Sequence, residues 1–203
     1  EVGFHCAIRL CGPTTIANGG IDHFWLYASL SLDIFLITSF LYTFFFATKE
    51  SMQFTVGMMG NLVITVLLKY IINWERLYPD CIRDPSMPSG HSQCAFFAAL
   101  YFSHYYNSDR AQLKINKTLQ TIRTTGVWIW ACCVAYSRVF LGYHRVSEIF
   151  VGFVIGISFA YYYCYYAKPV IYKHLMELLN SNPLTQNIIP VNVYLHEVEE
   201  QIG

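Results

Sequence analysis

FWLYASLSLDIFLITSFLYTFFFA, residues 24–47, is a single apolar run in which Asp33 is the only charged residue. A hydrocarbon layer of about 30 Å is crossed by roughly 20 helical residues, so this run is long enough to span a bilayer. Working outward, Met52–Ile72 is a second run of that kind, carrying Asn61 and Lys69. His91–Tyr106 is about four turns long and needs burial against its neighbours to reach across. Gly126–Leu141 and Ile149–Tyr166 complete the set. The expected fold is therefore an all-α polytopic membrane helical bundle with about five transmembrane helices.

The segments between the runs are polar. Asn73–Pro88 holds Pro79, Pro85 and Pro88, which disfavour a continuous helix. Asn107–Thr125 carries Arg110, Lys114, Lys117 and Arg123 against one acid, Asp109, and reads as a loop. Tyr172–Leu179 has the pattern of an interfacial amphipathic helix. The expected organisation is a polar N-terminal segment (1–23), a membrane domain (24–168) and a C-terminal interfacial segment and tail (169–203). No basic stretch leading into an apolar core marks a cleavable signal near the N-terminus.

Composition narrows the functional classes. Hydrophobic residues make up 55% and charged ones 13% of 203, an excess of apolar residues for a soluble domain. The sixteen Tyr and fifteen Phe suit contact with lipid headgroups. A formal net charge of zero gives no electrostatic footprint for nucleic acid, so membrane lipids are the expected surroundings. Among the seven cysteines there is no C-x-x-C pair and no zinc spacing. Cys94, Cys132, Cys133 and Cys164 lie in apolar runs and read as core residues, while Cys6, Cys11 and Cys81 leave one disulfide open. Gly152-x-x-x-Gly156 reads as a tight helix contact inside the bundle rather than a dimer seam.

Successive spans alternate direction, so four polar clusters fall on one membrane face. Lys69 and Arg76 lie at the end of the second span, and Pro88-Ser89-Gly90-His91 at the start of the third. Ser137-Arg138 ends the fourth, and His144 with Glu148 opens the fifth. These residue types suit phosphoryl chemistry, in which catalysis is largely positioning and charge neutralisation. Lys69, Arg76 and Arg138 supply positive charge, and an Arg fork bonds two phosphate oxygens at once. Ser89 offers a hydroxyl, and Gly90 at a helix start lets backbone amides approach an anion. Two histidines divide the work: one attacks phosphorus as a neutral imidazole, the other protonates the departing oxygen. His144 and Glu148 are four apart, hence neighbours on one helical face, where the carboxylate holds the ring in one tautomer.

Taken together, Lys69-x6-Arg76, Pro88-Ser89-Gly90-His91 and Ser137-Arg138-x5-His144-x3-Glu148 resemble the three-part pattern of the type-2 phosphatidic acid phosphatase superfamily. That superfamily includes lipid phosphate phosphatases, glucose-6-phosphatase and the vanadium haloperoxidases. The pattern reaches across about eighty residues. The resemblance implies that His144 is the nucleophile and His91 the general acid. It also implies that Lys69, Arg76, Ser89, Gly90 and Arg138 bind phosphate, with no metal or other cofactor. Two positions depart from the pattern: Leu77 follows Arg76 where Pro is usual, and Glu148 stands where Asp is usual.

Within the superfamily, Met87-Pro88-Ser89-Gly90-His91-Ser92-Gln93 and Tyr136-Ser137-Arg138-Val139-Phe140-Leu141-Gly142-Tyr143-His144 are similar to the dolichyl pyrophosphate phosphatase group, which also accepts a non-Asp residue at the place of Glu148. The implied substrate is a lipid-linked pyrophosphate. The same residues leave open a lipid phosphate monoesterase, or a pseudoenzyme holding lipid as a subunit of a membrane complex.

Asp33, inside the first span, is expected to face the bundle and serve structural hydrogen bonding ahead of the site. Arg83, Asp84 and Arg145 read as solvated loop charges beside the motifs. The basic 107–125 segment lies opposite the site, so the positive-inside rule places the site on the lumenal or outer face. An endoplasmic reticulum location agrees with the resemblance, and it leaves the Asn116-Lys117-Thr118 sequon on the cytoplasmic side.

Overall fold

The computed structural model describes residues 20–46, 48–76, 85–107, 116–171 and 174. Among these lie five α-helices: α1 (Gly20–Phe46), α2 (Lys49–Ile72), α3 (Gly90–Tyr106), α4 (Lys117–Phe140) and α5 (Val146–Tyr162). A π-helical turn, Tyr163–Ala167, carries α5 onward. The chain is a multi-pass membrane protein with the all-helical architecture read from its sequence. Three helical stretches are long and apolar enough to cross a bilayer by themselves: His23–Phe46, Glu50–Ile72 and Val146–Ile171.

α3 lies at the centre, against α5, α4 and α2. Its residues Ser92–Ala99 are all buried, and small side chains set the spacing: Ala95, Ala98 and Ala99 meet Ala131 of α4 and Ala160 of α5 in one core. Gly152 and Gly156 bring α5 against the start of α3. A Cβ on Gly152 would stand 2.7 Å from the Ser89 carbonyl oxygen, and one on Gly156 would collide with that of Gln93. The G-x-x-x-G step is thus intramolecular packing, as its sequence suggested. Polar bonds add to it: Gln93 Nε2 donates to Asn61 O and Oδ1 at 3.1 and 3.0 Å, joining α3 to α2. Such interhelical bonds contribute on the order of 1 kcal/mol each within a bilayer. Outward-facing Phe44, Ile71 and Phe150 leave an apolar belt for lipid.

Two helix boundaries and one cysteine stand apart from the sequence reading. α4 starts at Lys117 rather than Gly126, because Asn116 caps it by accepting the Thr118 N–H at 3.1 Å. The polar Lys117–Thr125 segment is therefore helix, not loop. The fifth helical stretch continues to Ile171, past Tyr166, with Tyr163 seated beside Gly57 and donating to the Gln53 carbonyl. Cys132 faces outward instead of joining the core, whereas Cys94 and Cys164 are buried. Cys6, Cys11, Cys81, Arg83, Asp84, Leu77 and nearly all of the 172–179 segment lie outside the described residues.

Candidate active site

Where α4 ends, the chain must turn at once into α5, and this turn builds half of the site. Leu141 and Gly142 close the helix, with their N–H groups on the Ser137 and Val139 carbonyls. Gly142 takes a φ of 73°, a conformation that side-chain-bearing residues rarely adopt. The Arg138 carbonyl then accepts the N–H groups of Tyr143 and His144 at 3.0 and 3.1 Å, so the loop curls around Arg138. Its guanidinium lies over the Tyr143 ring, 4.2 Å from the centroid.

His144 is buried at the mouth of α5, with Nδ1 2.8 Å from Glu148 Oε2. Glu148 is 1% exposed and heavily used. Its Oε2 also accepts the Arg145 N–H at 3.3 Å, the reach-back of a third-position acid at a helix start. Oε1 accepts the Ser86 hydroxyl at 3.0 Å, and its backbone carbonyl accepts the Ser89 N–H at 3.2 Å. A carboxylate only accepts, so the imidazole carries its proton on Nδ1 and its lone pair on Nε2. Burial pushes the His144 imidazole down to about 4; Arg138 and Arg76 act in the same direction, and the Glu148 bond opposes them. At neutral pH the ring is uncharged, the form that attacks phosphorus.

The second histidine opens α3. Ser89 is the N-cap, fully buried, its Oγ accepting the Ser92 N–H at 3.5 Å; Gly90 follows as the first helical residue. His91 is one step on, with Nε2 3.4 Å from Asp33 of α1. Four residues before Asp33, on the same face of α1, the Ser29 hydroxyl accepts from an Arg138 terminal nitrogen at 2.5 Å. Through α1, then, His91 and Arg138 are neighbours, and the charge of Arg138 acts on both His91 and His144.

The remaining cations close the ring. Arg76 reaches the Tyr143 carbonyl at 3.5 Å, tying the end of α2 to the α4–α5 turn. Ser86 binds back to Trp74 and Glu75, which returns the 85–89 segment to the same place. Lys69, in the last turn of α2, acts electrostatically on His91. Hence the structure gathers Lys69, Arg76, Ser89, Gly90, His91, Arg138, His144 and Glu148 at one end of the bundle. One donor in this group stands ready: Arg138 Nε is buried and has no hydrogen-bond partner among the described residues. A cavity of about 540 Å³ between α1, α2 and α3 lies elsewhere, lined by Thr43, Glu50 and Tyr105 among others and by none of these residues.

Sequence reasoning did not find Ser86, Ser29 or Tyr143, and it ranked Asp33 as structural. Asp33 in fact faces His91. Arg145, read as a solvated charge, is partly exposed, with a terminal nitrogen 3.9 Å from Glu148 Oε1.

Known proteins are similar to this chain. Dolichyldiphosphatase 1 of Dictyostelium discoideum is 33% identical over 98 residues, 48% of this chain and 42% of that protein. The dolichyldiphosphatase of Saccharomyces cerevisiae is 31% identical over 143 residues, 65% and 59% of the two chains. Lipid phosphate phosphatase gamma of Arabidopsis thaliana is 38% identical over 69 residues, 34% of this chain and 30% of that one. The chain spans about half the length of the first two. The crystal structure of a transmembrane PAP2 type phosphatidylglycerolphosphate phosphatase from Bacillus subtilis superposes with a TM-score of 0.53. It is 18% identical and covers 82% of this chain and 94% of its own, so the fold is shared. The profile of the PAP2 superfamily matches residues 13–171, the membrane helices and all of the clustered residues, and the chain belongs to that superfamily.

Proposed function

We propose that this chain hydrolyses a lipid-linked phosphate or pyrophosphate without a metal, converting a polyprenyl pyrophosphate of the dolichyl type to the monophosphate and inorganic phosphate. One observation carries the reading: a buried guanidinium N–H with no hydrogen-bond partner among the described residues lies at the same end of the bundle as two histidines, each held by a carboxylate. That arrangement offers a donor for an anion, a neutral nucleophile and a proton source at one end of the bundle.

The lipid tail stays in the bilayer while its phosphates reach the polar end of the helices. Arg138, Arg76 and Lys69, with the Ser89 hydroxyl and the amides at the start of α3, neutralise the phosphoryl oxygens. His144 Nε2 attacks the terminal phosphorus, and His91 gives its proton to the bridging oxygen as that bond breaks. Water activated by the now neutral His91 then hydrolyses the phosphohistidine. Similarity to proteins named dolichyldiphosphatases supports the pyrophosphate substrate and, with it, a site facing the endoplasmic reticulum lumen. The basic side chains Lys117 and Arg123 at the other end of α4 agree with a cytoplasmic opposite face.

The test is phosphate release by the purified protein in detergent or nanodiscs, comparing polyprenyl pyrophosphate with phosphatidate. Preference for the pyrophosphate, activity retained in excess chelator and loss in H144A and H91A are expected. A folded wild-type protein that releases phosphate from no lipid would overturn the enzyme reading in favour of a lipid-holding subunit.

A further inference from the structure

We propose that Asp33 of α1 is the positioning residue for the general acid, holding the proton-bearing form of His91 in place. The inference rests on the reading above, in which His91 protonates the leaving oxygen, and adds a residue outside the three-part sequence pattern.

Asp33 is the only charged residue in the 24–47 run, and placing a carboxylate at that depth costs about 3 kcal/mol unless something compensates. Four hydroxyls of α1 bond their own helix: Ser31, Thr38, Ser39 and Thr43 each bond a carbonyl three or four residues back. Asp33 does not share that pattern. Its side chain is half-exposed, and both carboxylate oxygens stand near His91 Nε2, the closest approaches being 3.4 Å.

The charges facing His91 show why an anion is needed. Lys69 from α2 and Arg138 from α4 both repel an imidazolium, and desolvation opposes it as well. Asp33 from α1 is the anion acting on it. The carboxylate of the other pair, Glu148, is already engaged by His144, Ser86 and Arg145. A pocket built to bind phosphate with cations would, by the same electrostatics, strip its own general acid. Asp33 offsets this. The contact is long for a hydrogen bond, as catalytic contacts commonly are before substrate arrives.

The proton balance is simple. As the P–O bond to the leaving group breaks, one imidazolium proton passes to the departing oxygen and His91 becomes neutral. It regains a proton from the water that attacks the phosphohistidine. Asp33 stays ionised throughout and touches no reacting atom.

The test compares wild type, D33N, D33E and H91A across pH on two soluble substrates, a short-chain alkyl phosphate and an aryl phosphate. An alkoxide needs protonation to leave; a phenolate with electron-withdrawing groups does not. With Asp33 neutralised, the alkaline limb of kcat/KM should move toward lower pH by about one to two units, the effect of removing a close opposite charge. Alkyl phosphate turnover at neutral pH should fall about tenfold or more, aryl phosphate turnover much less, and D33E should restore most of the difference. An equal loss on both substrates with an unmoved pH limb would make Asp33 merely structural or a counter-ion of Arg138, and no loss would remove it from the site; either overturns the proposal. H91A separates the two levels. If it cleaves the alkyl phosphate at the wild-type rate, the general-acid assignment itself fails. If it is impaired while D33N keeps the wild-type profile, only the role of Asp33 fails.

Discussion

Replacing Glu148 by Gln is the sharpest test of the nucleophile's support, because geometry separates charge from shape. Oε2 accepts from His144 Nδ1 at 2.8 Å and from the Arg145 N–H at 3.3 Å, so two donors require an oxygen there. The amide nitrogen of Gln must then take the place of Oε1, facing the Ser86 hydroxyl at 3.0 Å. Ser86 tolerates this, since its proton can turn to the Trp74 or Glu75 carbonyl at 3.1 or 3.2 Å and its lone pair then accepts from the amide. The tautomer of His144 survives, while the second amide N–H faces the Arg145 guanidinium, which stands 3.9 Å from Oε1 in the native chain. What is lost is the negative charge that stabilises the ring as it becomes a charged phosphohistidine.

A charge-assisted bond is worth about 2–3 kcal/mol against roughly 1 for its neutral counterpart. If that difference of about 1–2 kcal/mol is realised only in the transition state, kcat falls roughly 5- to 30-fold with KM nearly unchanged. E148A should lose more, because it orphans the Arg145 N–H and frees the ring to change tautomer. Single-turnover phosphate release and detergent melting curves measure the two effects separately. E148Q with wild-type kcat would refute the role of the carboxylate, and E148Q as damaged as E148A would refute the argument from the hydrogen-bond pattern.

Other outcomes follow from the same coordinates. R138K keeps the charge but gives up the fork, the Ser29 contact and the stacking on Tyr143, so kcat/KM should drop by about tenfold to a hundredfold, read from steady-state kinetics. G156A should cost about 2 kcal/mol or more, since its methyl group meets the Gln93 carbonyl, a backbone atom that cannot turn aside; the measurement is the midpoint of thermal unfolding in detergent. His144 titrates at about 4 when folded and near 6.5 when unfolded, so between those values the unfolded chain binds the extra proton. Stability should therefore rise with pH across that window and be lost as pH falls through it, and H144N should flatten that slope in melts taken from pH 4 to 7.

Which parts of this site were legible in the sequence depends on how local each relation is. His144 and Glu148 are one helical turn apart, so their pairing follows from spacing alone, and the structure places them 2.8 Å apart. The convergence of α2, α3 and the α4–α5 turn at one end follows from counting spans, and Arg76 on Tyr143 and Ser89 on Glu148 realise it. The partner of Asp33 was not legible because it depends on the rotation of α1 about its axis. Nothing within one helix sets that rotation; contacts such as Trp130 Nε1 on the Ser31 hydroxyl at 2.9 Å do. Ser86 was invisible for a related reason: a serine in a proline-bounded segment has no periodicity to betray its direction. The early start of α4 was missed because Lys117–Thr125 is too polar for a membrane criterion, although Asn116 is a strong capping residue that signalled it.

The two histidine–carboxylate pairs look alike, yet the proposed mechanism gives them opposite tasks, and what differs between them in the structure is how each carboxylate is shared. Glu148 is fully buried and its charge is divided among a ring N–H, a hydroxyl and a backbone N–H. So divided, it fixes the direction of His144 without overcoming the desolvation that keeps the ring neutral. Asp33 is half-exposed, and the contact seen for its carboxylate among the described residues is to His91. In the proposed mechanism one fold would supply a neutral nucleophile and a proton donor from the same two residue classes, one acid being buried under several donors and the other having few. On this reasoning the pairs are not interchangeable: exchanging the acids in D33E/E148D should leave each histidine a partner yet recover less activity than either single change would suggest. Full wild-type activity in that double variant would show that proximity of any carboxylate suffices and that the sharing pattern is irrelevant.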